Sequence, residues 1–195
     1  MHIRRGGIGI GLVLLLVAST AGCGRSYLPS DDPEAYAVYS ALLRHVWHPA
    51  QADANRYVIA SQTAVWPTAP LPSESAIRAL GGVWLGYLRL NGHVWPLKRL
   101  FTLELPYELV PGKDLALAIG GAAGEQSGSF DRRYPGAGGF IQLSAVGFNA
   151  SKTKAIVQMT WICGWACGGG DTFVLDKENG RWGSPRSAFN GPWRF

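Results

Sequence analysis

Apolar residues recur along this chain in two periods, first helical and then alternating. Around residue 31 a helix start is legible: Asp32 suits an N-cap, Pro33 the first helical position, and Glu34 the positive end of a helix dipole. Tyr36, Tyr39, Leu43, Val46 and Trp47 follow at three- and four-residue steps as one apolar stripe, and Pro49 ends the helix. Tyr57–Val65, β-branched and apolar, predicts a strand. The proline-rich stretch Trp66–Ser73 predicts a loop. A second helical stripe follows in Ile77, Leu80, Trp84, Tyr87 and Leu88, opened by Glu74 and Ser75 without the reciprocal acid of a capping box. Gly81 and Gly82 weaken that helix by ~1 kcal/mol each relative to Ala and leave room for close packing.

Leu100–Leu105 and Tyr107–Val110 predict strands divided by Pro106, and Leu115–Ile119 fits either a short helix or a strand. Gly120–Gly128 and Phe130–Gly139 predict irregular chain. From there the period is two. Ile141, Leu143 and Ala145 alternate with Gln142 and Ser144, and Val157, Met159 and Trp161 alternate with Gln158 and Thr160. Asn149–Lys152 predicts the turn between them, Thr172–Leu175 a third strand, and Asn179-Gly180 a hairpin leading into Arg181-Trp182. Trp161 and Trp182 fall on core-facing positions. The expected fold is α+β: an antiparallel β-meander in the C-terminal half, covered on one face by N-terminal helices, in one domain over residues 31–195.

The first residues follow a different rule. Arg4 and Arg5, the apolar run Ile8–Ala18 and the small residues before Cys23 are ordered as in a secretory signal peptide. The run is about 14 residues counted generously, short of the ~20 that span a bilayer. Thr20-Ala21-Gly22-Cys23 resembles the lipobox of bacterial lipoproteins, although Thr20 stands where Leu is commoner. That resemblance implies a signal peptide over residues 1–22, cleavage before Cys23, lipid on its sulfur and acylation of the new amino terminus. Residues 23–30 would then be a tether. Gly24, in place of the Asp that favours inner-membrane retention, points by the same analogy to the outer membrane.

Cleavage alters the charge balance. The chain carries 18 basic and 13 acidic residues, a net +5; loss of Arg4 and Arg5 leaves 16 against 13. So mild a surplus gives no case for nucleic acid as a partner. Eight tryptophans and 26 glycines fit a folded, turn-rich domain.

With Cys23 carrying lipid, Cys163 and Cys167 remain, at the end of a predicted strand in a glycine-rich turn suited to a disulfide. Thiol–disulfide catalysts place two residues, not three, between their cysteines at a helix start, and a zinc site needs two further ligands. His45 and His48 form the closest histidine pair, and nothing in the sequence places them beside the cysteines. A structural disulfide is the main reading, with a redox role and a metal as alternatives. No cofactor is implied. Tyr134-Pro-Gly136, Ser144-Ala-Val-Gly-Phe-Asn149, Ala155-Ile-Val157, Cys163-Gly-x-x-Cys167-Gly168 and Asn179-Gly-Arg-Trp182 resemble the C-terminal part of a group of uncharacterised bacterial envelope proteins. The likeness covers roughly residues 130–183, with a looser one around Tyr39–Thr63, and implies a compact domain but no activity.

No nucleophile elbow or phosphate-binding lysine loop is present in the sequence. Glu104 and Glu108 flank Pro106 and read as outward strand charges. Arg132, Arg133 and Tyr134 are the candidate recognition cluster, since Arg and Tyr are enriched in interface hot spots; Trp165, at a constrained turn tip, is the other. Two functions follow as expectations. The first is a non-catalytic protein-binding module of the envelope, an inhibitor or accessory subunit. The alternative is a periplasmic hydrolase or thiol–disulfide enzyme whose residues converge only in the fold.

Overall fold

The computed structural model describes residues 29–47, 54–65, 72–119, 129–164, 167–189 and 191–194. The proposed signal peptide, Cys23, most of the tether, His48, Pro49, the Gly120–Gly128 loop and Trp165 lie outside them.

Helix α1 spans Pro33–Val46, with Asp32 accepting from the Glu34 N–H at 3.1 Å, as its capping sequence predicts. Ala35, Tyr36, Val38, Tyr39, Ala41, Leu42 and Leu43 are all buried, so α1 is enclosed on more than one side. One side packs on the sheet. The other is covered by residues 96–106, whose N–H groups bond to helix side chains: Lys98 N–H to the Tyr36 hydroxyl at 2.7 Å, and Thr102 N–H to Ser40 Oγ at 2.9 Å. This is why the strand expected at Leu100–Leu105 does not form. Its Thr102 amide is taken by Ser40 and its Leu100 amide by the Lys98 carbonyl, and Phe101 packs among the rings of Tyr36, Tyr39 and Tyr107.

Strands β1 (Tyr57–Ala60), β2 (Tyr107–Val110), β3 (Phe140–Leu143), β4 (Gly147–Phe148), β5 (Lys154–Gly164), β6 (Cys167–Glu178) and β7 (Arg181–Trp182) form a sheet in the order β2-β1-β3-β5-β6-β7. β4 pairs with β5, and the two-residue strands β8 (Arg186–Ser187) and β9 (Trp193–Arg194) pair with β6. The β3-β5-β6-β7 part is the expected antiparallel meander. β1, however, pairs parallel with both β2 and β3, so the sheet is mixed. Such pairs need crossover connections rather than tight turns, and the stretch between β1 and β2 supplies one with helices α2 (Glu74–Leu80) and α3 (Gly82–Leu90).

Helices cover both faces of the sheet, not one. α1 packs on Ile59, Ile141, Leu143, Val157, Met159, Phe173 and Leu175. Val83, Trp84 and Tyr87 of α3 pack on Ile156 and Val174 of the opposite face. On that face too, α4 (Gly112–Ile119) and α5 (Ser129–Arg133) cover Val58, Val110, Phe140 and Ile162. The second predicted helix is thus two helices, broken at Gly81, whose φ of +53° ends α2. The glycine that allows close packing is Gly86, set against β4.

Candidate functional site

The candidate residues gather at two ends of the sheet, separated by the length of β5. Eleven residues at ~3.3 Å each put them roughly 35 Å apart.

At the β5 start, three acids beside the cap of α1 each meet a lysine from a different segment. Asp31 pairs with Lys98, Asp32 with Lys152 at 2.7 Å, and Glu34 with Lys177 at 2.8 Å. The Trp182 indole N–H also donates to Glu34 at 3.0 Å. Burial pushes the Glu34 carboxyl up, but the Lys177 and Trp182 bonds and the Lys177 and Lys152 charges outweigh it and hold the pKa below the ordinary value. These contacts fix Pro29, where the preceding chain enters, to this end of the sheet. Beside it opens a groove of about 970 Å3 between the α1 start, α3 and the β4–β5 turn, lined by Pro29, Asp32, Leu85, Arg89, Phe148 and Lys152. His93 also lines it, its ring edge-on to Trp95. Neither the groove nor the lysine clamp was singled out in the sequence, because Arg89, Lys98, Lys152 and Lys177 lie in segments with no local pattern linking them.

At the other end, Gly164 pairs with Cys167 across the β5–β6 hairpin, and Cys163 and Cys167 stand at disulfide-bonding distance, Cα–Cα 5.1 Å. Both sit in strands, not in the first turn of a helix as the cysteines of thiol–disulfide catalysts do. Phe140, which pairs with Ile162 beside Cys163, holds α5 near this end through Phe130. Arg132 and Arg133 are exposed, and Arg133 lies 3.9 Å from Asp114. Tyr134 departs from its expected surface role. Its ring is buried against Phe130, with the Arg133 guanidinium 5.8 Å from its centroid. Spacing alone did not distinguish it from its exposed neighbours, because α5 is only five residues long.

The remaining chemistry is scattered. His45 is exposed on the last turn of α1, its Nδ1 2.8 Å from the Ala41 carbonyl oxygen. Glu108 pairs with Arg56 rather than approaching Glu104. Among the described residues no cluster of three or more His, Cys, Asp or Glu is placed to hold a metal, and no helix is long and apolar enough to cross a membrane. Trp182 is buried, and Trp161 is half-buried against the α1 core.

No family model, curated protein or solved structure matches this chain.

Asp171 is a buried carboxylate without a cationic partner among the described residues. It accepts from the Thr172 N–H at 2.7 Å and from Ser187 Oγ at 3.1 Å. Burial raises its pKa despite those two bonds. The folded protein therefore holds this proton more tightly than the unfolded chain, and stability falls as pH rises from about 3.8 through the raised value. Asp171→Asn is expected to abolish that fall and to melt at or above wild type at neutral pH. Thermal melts across the acid range check it, and a lower neutral-pH midpoint with an unchanged profile contradicts it.

Proposed function

We propose that this chain is a lipid-anchored envelope protein, held through lipid on Cys23 and the 23–30 tether. Its domain faces the periplasm, at the outer membrane by analogy with lipoprotein sorting, and acts as a non-catalytic protein-binding module of inhibitor or accessory-subunit type. The observation that carries the reading is polarity. The chain enters at Pro29, at one end of β5, while the hairpin closed by Cys163 and Cys167 stands at the other. A tether at the first end presents the second to the compartment. Arg132 and Arg133 lie toward that presented end; Trp165, between the two cysteines in sequence, lies outside the described residues.

Two measurements test this. Cys23→Ser is expected to move the protein almost entirely out of the membrane fraction; retention there, uncleaved, contradicts the anchor. A photo-crosslinking residue at Arg132 in intact envelopes is expected to give a discrete conjugate that the same residue at Arg78, on α2, does not give. Absence of any conjugate at Arg132 contradicts the binding role.

A further inference from the structure

The groove face carries an apolar surface that the interior does not use. In α3, a nine-residue helix with Arg89 as its single charge, Val83, Trp84 and Tyr87 point into the protein. Leu85 and Leu88 point out, 68% and 51% exposed. Val94, just beyond the helix, is 53% exposed. A helix apolar on both sides belongs between two apolar or amphipathic layers, and here the described residues provide one.

The second layer is identified by reach and charge. Pro29 lines the groove together with Leu85 and Arg89. Cys23 precedes Pro29 by six residues, a span of at most ~20 Å. A lipid on Cys23 therefore keeps the outer face of α3 close to the bilayer. Two leucines bind a membrane weakly from solution, but a short tether makes the contact intramolecular and raises its effective concentration. Charge points the same way. Lys152 is neutralised by Asp32, while Arg89 has no ion-pair partner among the described residues. A cation beside exposed apolar side chains suits anionic phospholipid headgroups.

We infer that the outer face of α3 lies on the bilayer surface, with Leu85 and Leu88 entering the headgroup region and Arg89 meeting anionic headgroups. The inference rests on the proposed lipid at Cys23. It adds an orientation: the domain lies with the α3 face of the sheet toward the bilayer and the α1 face away from it, rather than left to tumble.

The test uses the full lipidated chain in phosphatidylglycerol-containing vesicles, with an environment-sensitive fluorophore on Leu85→Cys and, separately, on Glu104→Cys. Glu104 is exposed and precedes β2 at the hairpin end. Lipids brominated near the headgroup are expected to quench the label at 85 by about twofold and leave the label at 104 unchanged. Arg89→Glu should weaken the quenching in anionic vesicles and not in neutral ones. An unquenched label at 85 on vesicle-bound protein overturns the inference and leaves the anchor standing. Failure of the chain to stay on vesicles, with Cys23 unmodified by mass, overturns both. A label at 85 that is shielded in native envelopes yet unquenched on pure lipid means that a protein covers α3, which also overturns the inference.

Discussion

Gly147→Ala is expected to cost about 3 kcal/mol, the upper part of the range for overpacked sites, and to lower the melting midpoint by about 10 °C. A Cβ built at Gly147 stands 2.4 Å from the Tyr87 backbone nitrogen and 2.5 Å from its Cα. Backbone sits on both sides of that contact, so no flexible side chain can swing away. Gly86 is the facing half of the same approach, its own Cβ position 2.4 Å from the Phe148 carbonyl oxygen. Gly86→Ala is the sharper comparison. In an open helix that change gains ~1 kcal/mol, so a net loss there isolates the clash. At Gly82 nothing lies within 4 Å, and Gly82→Ala should stabilise. Denaturant melts of the three variants decide the matter: equal behaviour at 82, 86 and 147 would show that α3 does not sit on β4 in this way.

Asn91→Ala is expected to cost about as much, for a different reason. Between β3 and β4, residues 144–146 leave the regular ladder, and their backbone groups need other partners. Asn91 supplies two: its Oδ1 accepts from the Ala145 N–H at 2.8 Å, and its Nδ2 donates to the Ala145 carbonyl at 2.9 Å. From the opposite face, the Tyr39 hydroxyl donates to the Ser144 carbonyl at 2.8 Å, and the Val146 N–H bonds to the same phenol. Alanine at 91 leaves the Ala145 N–H unpaired in a buried site, at ~1–3 kcal/mol, and leaves its carbonyl only the Ser144 hydroxyl at 3.1 Å. Equilibrium unfolding should show the loss, and amide exchange should show protection lost at Ala145 first. A change below about 0.5 kcal/mol would mean that water replaces Asn91 at little cost.

These two sites also show where the sequence was readable. The α1 cap, the Asn149–Lys152 and Asn179-Gly180 turns and the β3-β5-β6 meander were legible because each is encoded within a few neighbouring residues. The parallel strands were not. β1 is buried on both faces, so its sequence lacks the alternation that would reveal its pairing, and its partners lie far along the chain. The strap at 96–106 departs from its sequence for a related reason: its apolar residues have strand character, but Tyr36 and Ser40 take the Lys98 and Thr102 amides. Of the candidate site, the cysteine pair was visible from spacing, whereas the groove exists only once Pro29, α3 and the β4–β5 turn have converged.

The enclosure of α1 between sheet and strap has a consequence for the order of assembly. The Tyr39–Ser144 bond joins residues 105 apart in sequence, and the Glu34–Lys177 contact joins residues 143 apart. Chains are made from the amino terminus, so α1 exists before nearly everything that buries it. Until β3, β5 and β6 are complete, Tyr36, Tyr39, Leu42 and Leu43 stay open to water and to other chains. Such long closures fold slowly, and the waiting intermediate is prone to aggregate. The nascent helix therefore has to be sheltered until the last third of the sequence arrives.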